Sequence, residues 1–278
     1  MNNRELEQIA NEIRIATVDA IYHANSGHPG GSLSAVDIFT CLYFDEMNVD
    51  PQNPGFEDRD RFVLSKGHAV PGLYAILAKK GFFPEKLLRS YRKMGTILQG
   101  HPDLKKTPGI DMSTGSLGQG VSAAVGLALG AAELDKKYRI YTLLGDGELQ
   151  EGQVWEAAMF AAHHKLDNLC MIVDNNGLQL DGSLKEVIDP GSIDEKFRSF
   201  GFYVIIVDGH DMGELKNAFK KAREAKGQPT AIIAKTIKGK GVSFMENVVG
   251  WHGVAPNKEQ YYKALEDLKK AGGALCQA

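Results

Sequence analysis

The sequence predicts an α/β protein with a doubly wound, mainly parallel sheet and helices on both faces. Short apolar runs rich in Val, Ile or Leu recur through the second half of the chain. Runs of this length are typical of strands that are buried on both faces, as in a parallel sheet. The segments between the runs carry apolar residues at helical spacing. Right-handed crossovers between the strands then place helices on both sides of one sheet.

Each element of this fold is indicated by its own apolar pattern. An opening helix is indicated by apolar residues at helical spacing from Leu6 to Ala20. The strands are predicted at Arg61 to Leu64, Tyr138 to Leu144, Asn168 to Asp174, Phe202 to Val207 and Thr230 to Thr236. Helical spacing between the later strands runs from Trp155 to Ala162 and from Leu215 to Ala222. A last helix is indicated by Tyr261, Ala264, Leu265 and Leu268.

Composition and charge disfavour several classes of protein. The 278 residues are 43% hydrophobic and 24% charged, which suffices to bury the core of one large domain and disfavours disorder. The net charge of −3 leaves no basic surplus for binding nucleic acid. The longest apolar stretch, Val121 to Ala132, is shorter than the roughly 20 residues that a membrane span needs. We therefore expect neither a nucleic-acid-binding protein nor a membrane protein.

The N-terminus and the cysteines indicate a compartment. Residues Met1 to Glu5 lead directly into a charged amphipathic pattern, without the apolar core of a signal peptide. Cys41, Cys170 and Cys276 are odd in number and widely scattered, so we expect neither a disulfide framework nor a zinc cluster. The sequence therefore predicts a cytoplasmic protein.

Polar motifs follow two of the predicted strands. Gly145, Asp146 and Gly147 come after one strand, and Asn176 follows the end of the next. If these strands are parallel neighbours about 4.8 Å apart, Asp146 and Asn176 emerge side by side at one edge of the sheet. One carboxylate and one amide suit a Mg²⁺ ion whose shell is completed by phosphate oxygens. Gly145 and Gly147 let the backbone approach a diphosphate closely.

Either motif alone is more often a simple turn. Their occurrence together, each at a strand end, favours a binding site. In the sheets predicted here, ligands gather beyond the carboxyl ends of the strands. This edge of the sheet is therefore where we expect the functional site.

The residues around these motifs resemble the cofactor-binding domain of transketolases. The metal motifs read GDGELQEG at 145–152 and DNNGL at 174–178. Further matching segments are SGHPGG at 26–31, RDRFVLSKGHA at 59–69, GHP at 100–102, STGSLGQG at 113–120 and WHG at 251–253. They span nearly the whole chain in the family's order, so the resemblance is specific.

The resemblance implies a role for each matching residue. Mg²⁺, or Ca²⁺ or Mn²⁺ in its place, would be bound by the side chains of Asp146 and Asn176 and by the carbonyl of Leu178. Thiamine diphosphate would be contacted by His68, Gly115, Leu117, Gly147, Asn176 and His252. The catalytic residues facing the sugar would be His28, His101 and His252, since imidazole can donate hydrogen bonds or move protons near neutral pH.

The resemblance also implies what this chain lacks. Transketolases activate the cofactor with a glutamate from a pyrimidine-binding domain, and we find no segment that matches that domain or the C-terminal domain. We therefore expect the N-terminal subunit of a split transketolase, made active by a partner chain that supplies both domains. Its reaction would transfer a two-carbon ketol unit from a ketose phosphate to an aldose phosphate. We also expect self-association through the interface at which the cofactor site forms.

Several alternatives remain open from the residues. Gly118 to Ala123 satisfies a dinucleotide-binding fingerprint, which would suggest a nicotinamide-dependent oxidoreductase, but turn-rich residues rather than a strand precede it. Further possibilities are a deoxyxylulose-phosphate synthase, the decarboxylating component of a 2-oxo-acid dehydrogenase, a split transketolase for an unusual ketose, and a non-catalytic binding protein. Glu151 and Glu156 are either solvated helix charges or carboxylates at the family's subunit interface. His210 is interpreted as a solvated or capping loop residue outside the site.

Overall fold

A computed structural model, which describes residues 1–277, shows a five-stranded sheet. The strands pair in parallel, in the order β1-β2-β3-β5-β4. They are β1 (Arg61–Leu64), β2 (Ile140–Gly145), β3 (Leu169–Asn175), β4 (Tyr203–Asp208) and β5 (Thr230–Lys235). Each predicted strand is confirmed to within two residues at either end. The strand order reverses between β3 and β4, because β5 inserts between them.

The α-helices occupy the segments between the strands and both ends of the chain. They are α1 (Asn3–Ala24), α2 (Pro29–Ser34), α3 (Val36–Cys41), α4 (Val70–Lys80), α5 (Gln119–Glu133), α6 (Gly152–His163), α7 (Leu184–Val187), α8 (Ile193–Ser199), α9 (Met212–Glu224) and α10 (Lys258–Gln277). The first helix begins with a capping box, in which Asn2 and Glu5 exchange side-chain and backbone hydrogen bonds. The predicted opening and closing helices are confirmed.

Each face of the sheet carries its own hydrophobic core. Side chains that alternate along a strand point to opposite faces. Leu143 and Ile172 therefore pack with helices α1, α3, α4 and α9, whereas Leu144 and Val173 pack with α5, α6 and α8. All four of these strand residues are fully buried, so neither face of the central strands is exposed to solvent. This burial explains why the sequences of these strands are continuous apolar runs. The doubly wound α/β class is confirmed.

The register of β2 on β3 differs by one residue from the expected one. Gly145 is level with Asp174, which places Asp146 opposite Asn175 rather than opposite Asn176. Asn176 lies beyond the end of β3, where its Oδ1 accepts the backbone N–H of Leu178 at 3.1 Å. That side-chain turn bends the chain, so Asn176 still reaches the edge at which Asp146 emerges.

The segment after β2 does not pass directly into an α-helix. Residues Gly147–Gln150 form a 3₁₀ turn, and α6 begins only at Gly152. Glu148 folds back onto the end of β2 and accepts the N–H of Gly145 at 3.1 Å. That contact keeps the turn tight, so the helix starts one turn later.

Two sequence expectations concern membranes and disulfides. Among residues 1–277, no helix is both long and apolar enough to cross a bilayer. Cys41 and Cys170 are buried free thiols in the core that also contains Leu143 and Ile172. The side chain of Cys276 lies outside the part of the chain that can be described.

Candidate active site

A cavity of about 360 Å³ lies at the carboxyl ends of β2 and β3. It lies beyond the carboxyl ends of the parallel strands, which is where doubly wound sheets bind ligands. The predicted site residues that line it are His28, His68, Gly115, Leu117, Asp146, Gly147, Asn176, Leu178 and His252. His101 is exposed and lies beside Gly115, at which a Cβ atom would stand 3.0 Å from the His101 ring. The structure therefore brings the predicted residues together in one place.

Oxygen atoms from the two strand ends converge in this cavity. Asp146 is 2% exposed and accepts the backbone N–H of Gly147 at 2.8 Å and that of Gly177. The Asn176 amide nitrogen points to Asp174 at 3.4 Å, which leaves its oxygen on the side of the Leu178 backbone. A carboxylate, an amide oxygen and the Leu178 carbonyl form the hard donor set that Mg²⁺ prefers. The donor chemistry thus fits the ion that the sequence predicts.

Burial makes Asp146 easy to protonate while no cation is bound. Desolvation raises the pKa of Asp146 to about 7, and hydrogen bonds from Gly177 and Gly147 only partly oppose it. A divalent cation at this carboxylate would stabilise its ionised form. We therefore expect the cation and a proton to compete for Asp146 near neutral pH.

Lys238 is a cavity residue to which the sequence analysis assigned no role. Its ammonium donates to the carbonyls of Leu178 at 3.2 Å and Gln179 at 3.1 Å, and it lies 2.9 Å from His252 Nδ1. Burial lowers the pKa of Lys238 to about 8, so it remains mostly cationic at neutral pH. The available signal was its position in a glycine-rich loop directly after a strand, at the edge where ligands bind.

A second buried lysine forms the floor of the cavity. Lys66 pairs with Asp174 and donates to the carbonyl of Gly31 at 2.8 Å. Asp174 also accepts the hydroxyl of Ser34 at 2.6 Å and that of Thr236. Burial alone would raise the pKa of Asp174, but Lys66 and these hydrogen bonds outweigh it and hold that pKa below its usual value. The floor is therefore a satisfied ionic network that joins α2, β1, β3 and β5.

Three histidines cluster on one wall of the cavity. The ring centroid of His68 lies 5.1 Å from those of His28 and His252. Burial lowers the pKa of His28 to about 4 and that of His252 to about 3, with nearby cationic side chains adding to the effect. The pKa of His68 is lowered well below its usual value, by burial and then by Lys66. The cluster is therefore uncharged at neutral pH.

Neutral imidazoles can donate and accept hydrogen bonds at once. His28 Nδ1 is buried and has no hydrogen-bond partner among the described residues. An unpaired buried polar atom is costly, so a ligand that supplied its partner would bind with a favourable contribution. His28 lines the cavity, so a polar group of a bound ligand is a candidate partner for this atom.

Arg92 joins the loops that carry His28 and His101, and the sequence analysis missed it. Its guanidinium donates to Ser26 Oγ at 2.7 Å and to the Gly100 carbonyl at 3.4 Å. Partial burial and the charge of Arg92 both lower the pKa of His101. The two loops are far apart in sequence, so nothing local in the sequence indicates this link.

Comparison with known proteins identifies the family. Residues 6–271 match the transketolase, thiamine diphosphate binding domain. The chain belongs to this family. The transketolase of Campylobacter jejuni has the same fold with a TM-score of 0.91 and 35% identity, and the match covers 97% of this chain and 43% of that one.

The transketolase relatives fall into two size classes. The 6-deoxy-6-sulfo-D-fructose transketolase subunit of Clostridium sp. is 47% identical, and the match covers 96% of this chain and 98% of that protein. An apulose-4-phosphate transketolase subunit of Phocaeicola vulgatus is 42% identical, with 96% and 94% covered. Human transketolase is 46% identical, but only 42% of its length is matched. The chain is thus about as long as these transketolase subunits, and it spans less than half the length of the human enzyme.

Three other features of the sequence are interpreted from their positions in the structure. Gly118 has a φ of +83° and caps α5, and the residues before it form turns rather than the strand that a dinucleotide fingerprint requires. The interpretation of His210 as a solvated residue is wrong, since its side chain is only 11% exposed and contacts Asp37. The two carboxylates left open, Glu151 and Glu156, are both exposed, and Glu151 lines the cavity.

Proposed function

We propose that this chain is the N-terminal subunit of a two-chain transketolase. The reaction transfers a two-carbon ketol unit from a ketose phosphate to an aldose phosphate, with thiamine diphosphate and Mg²⁺. The observation that carries the proposal is the cavity in which Asp146, Asn176 and the Leu178 carbonyl face a cluster of neutral histidines. Oxygen ligands for a cation and polar groups for a sugar occupy one site.

The cation and diphosphate would bind at the tips of β2 and β3. Asp146, Asn176 and the Leu178 carbonyl are the proposed metal ligands, and Asp146 is the only one of them with a charge. A Cβ atom at Gly147 would stand 3.0 Å from that of Gln179, so a side chain there would crowd the cavity wall. His68, His252 and Lys238 supply donors for the diphosphate, and Gly115 and Leu117 supply contacts for the cofactor rings. Bound thiamine diphosphate supplies a nucleophilic carbon.

The sugar would bind against His28 and His101. Both imidazoles have a lowered pKa, so at neutral pH they can donate a hydrogen bond to a sugar oxygen or accept one from a hydroxyl. Neutral imidazoles can also take up a proton from the substrate and return it. Arg92 keeps the two loops at a constant separation by bonding to both.

A partner chain would close the cavity. Leu117 and Leu180 line it and remain 36% and 60% exposed. On the adjacent helix α6, Met159 and Phe160 are 57% and 42% exposed. Apolar side chains exposed around a site are typical of a surface that another chain covers. We propose that the partner supplies the pyrimidine-binding and C-terminal domains, and that two copies of the present chain associate through the same interface.

The relatives suggest which donors to test first. One is named for 6-deoxy-6-sulfo-D-fructose and two for apulose 4-phosphate, so an unusual ketose is a specific alternative to the common sugar phosphates. A donor panel should therefore contain both of these ketoses together with xylulose 5-phosphate and fructose 6-phosphate.

The deciding experiment reconstitutes the enzyme from two chains. This chain is mixed with the proposed partner chain, which carries the pyrimidine-binding and C-terminal domains, and with thiamine diphosphate and Mg²⁺, and ketol transfer to an aldose phosphate is measured for each donor. We expect transfer by the mixture, and none by either chain alone or by a mixture containing Asp146→Ala. A well-assembled, cofactor-loaded complex without transfer from any donor would refute the proposal and favour a non-catalytic role.

A further inference from the structure

His210 lies outside the cavity, in the turn between β4 and α9, yet both of its ring nitrogens are engaged. Nδ1 is 2.6 Å from Asp37 Oδ2 in α3, and Nε2 is 2.8 Å from the backbone nitrogen of Ile237. Asp37 is separated from His210 by 173 positions in the sequence. One imidazole thus connects α3, the turn after β4 and the segment after β5.

These contacts permit a single tautomer. The Ile237 amide can only donate, so Nε2 of His210 must be unprotonated and accept. Nδ1 then carries the ring proton and donates it to Asp37. Asp37 is buried and also pairs with Arg14, and these two partners outweigh burial to keep the pKa of Asp37 below its usual value. A permanently ionised Asp37 therefore holds His210 in the tautomer that accepts from Ile237.

Ile237 immediately precedes Lys238, whose side chain is 2% exposed and points into the cavity. On the other side, Thr236 is bonded to Asp174 and its N–H donates to the Asn175 carbonyl at 3.1 Å. The backbone just before Lys238 is thus held at Thr236 by β3 and at Ile237 by His210. Releasing Ile237 would loosen the peptide between Thr236 and Ile237, whereas the carbonyls of Ile237 and Lys238 would keep the N–H groups of Lys240 at 3.2 Å and Asn247 at 2.9 Å.

We propose that His210 is a positioning residue for Lys238. By accepting the Ile237 N–H, it fixes the backbone from which the Lys238 ammonium reaches Leu178, Gln179 and His252. The consequence for binding rests on the proposed function, in which Lys238 is a donor to the diphosphate.

Two substitutions separate the halves of this network. In His210→Asn the amide nitrogen can replace Nδ1 and donate to Asp37, but no acceptor reaches Ile237. In His210→Gln the amide oxygen can replace Nε2 and accept from Ile237, while Asp37 loses the imidazole donor and keeps only Arg14. A purely structural role in donating a hydrogen bond to Asp37 would make Asn the better substitute. A positioning role through Ile237 makes Gln the better one.

The first measurements need no ligand. Amide hydrogen exchange at Ile237 and crystal structures of both variants report the backbone and the distance from Lys238 Nζ to the Leu178 carbonyl. We expect fast exchange and a displaced lysine in the Asn variant, with slow exchange and an unmoved lysine in the Gln variant. A folded Asn variant with Lys238 in place would overturn the proposal, even if the Gln variant failed to fold.

The second measurement is calorimetric titration of this chain with Mg²⁺ and inorganic pyrophosphate. We expect affinity to fall about tenfold in the Asn variant, the equivalent of one hydrogen bond, and by less than about twofold in the Gln variant. The same pair of substitutions at the exposed His164 is the control. Equal losses in both His210 variants would overturn the proposal. Failure of the wild type to bind pyrophosphate would count against the proposed function alone, because the first measurements then decide the role of His210.

Discussion

The backbone N–H of Gly177 donates to the carboxylate of Asp146, which ties the segment after β3 to the segment after β2. The same carboxylate also accepts the N–H of Gly147 at 2.8 Å. These two amides hold Asp146 in place before any cation binds, so the ligand does not have to be ordered on binding. The predictions below start from this carboxylate.

Asp146→Asn should abolish tight binding of Mg²⁺ and thiamine diphosphate. The metal shell would lose its only charged protein ligand, and we expect the affinity to fall by more than about 100-fold. Calorimetry on the assembled complex measures the loss, with Asp181→Asn as the control, since Asp181 lines the same cavity but is exposed. Equal affinities in wild type and Asp146→Asn would refute the metal site.

His101→Ala should reduce turnover and leave cofactor affinity close to normal. The ring is exposed and lies beside Gly115, outside the residues that line the cavity, so its loss would remove the proposed contact to the sugar and leave the cavity lining intact. Loss of an acid or base typically costs about 100-fold or more in rate. Steady-state kinetics and calorimetry on the reconstituted enzyme separate the two effects. A matching loss of cofactor affinity would make His101 a cofactor-binding residue instead.

Glu148→Gln should destabilise the fold. Its carboxylate accepts from Ser65 Oγ, from the Gly118 amide at 2.9 Å and from the Gly145 amide at 3.1 Å. A glutamine would turn an NH₂ group toward one of these donors, at a cost of about 1–3 kcal/mol in the free energy of unfolding. Urea denaturation measures this cost, and the neighbouring exposed Glu151→Gln serves as the control. Similar stabilities for the two variants would contradict the prediction.

His28→Asn should change how stability depends on pH in the unliganded chain. The pKa of His28 is about 4 in the fold, against 6.5 as its ordinary value, so the unfolded chain takes up the proton first. The wild type therefore loses stability relative to the variant as pH falls from about 6.5 to about 4, and the difference is constant above that range. Denaturation curves at several pH values test this. A difference that does not vary with pH would show that burial does not control this imidazole.

Met159→Asp should prevent assembly. Met159 lies seven positions after Gly152, the first residue of α6, which places it about 10 Å along the helix from the cavity. A carboxylate in a covered apolar interface would have to be desolvated without a partner. Light scattering of the mixed chains measures assembly, with Leu134→Asp as a control at the 71% exposed end of α5. Normal assembly of the Met159 variant would place the interface elsewhere.

Much of the candidate site could be predicted because its residues lie in short motifs at strand ends. Asp146 and Asn176 each lie shortly after an apolar run. The apolar run and the turn residues that follow it are both local features of the sequence. The register of β2 on β3 could not be predicted to the residue. The register depends on where β3 ends. The turn at Asn176, rather than the apolar pattern, ends that strand.

The sequence by itself determined the strands, the fold class and the polar motifs, because apolar periodicity and turn chemistry act over a few neighbouring residues. Only the tertiary structure decided that β5 lies between β3 and β4, which brings Lys238 into the cavity. Arg92 and His210 gained their roles in the same way, since their partners lie 66 and 173 positions away. Such contacts form when packed helices and strands bring distant segments together. No local pattern in the sequence predicts which residues will meet.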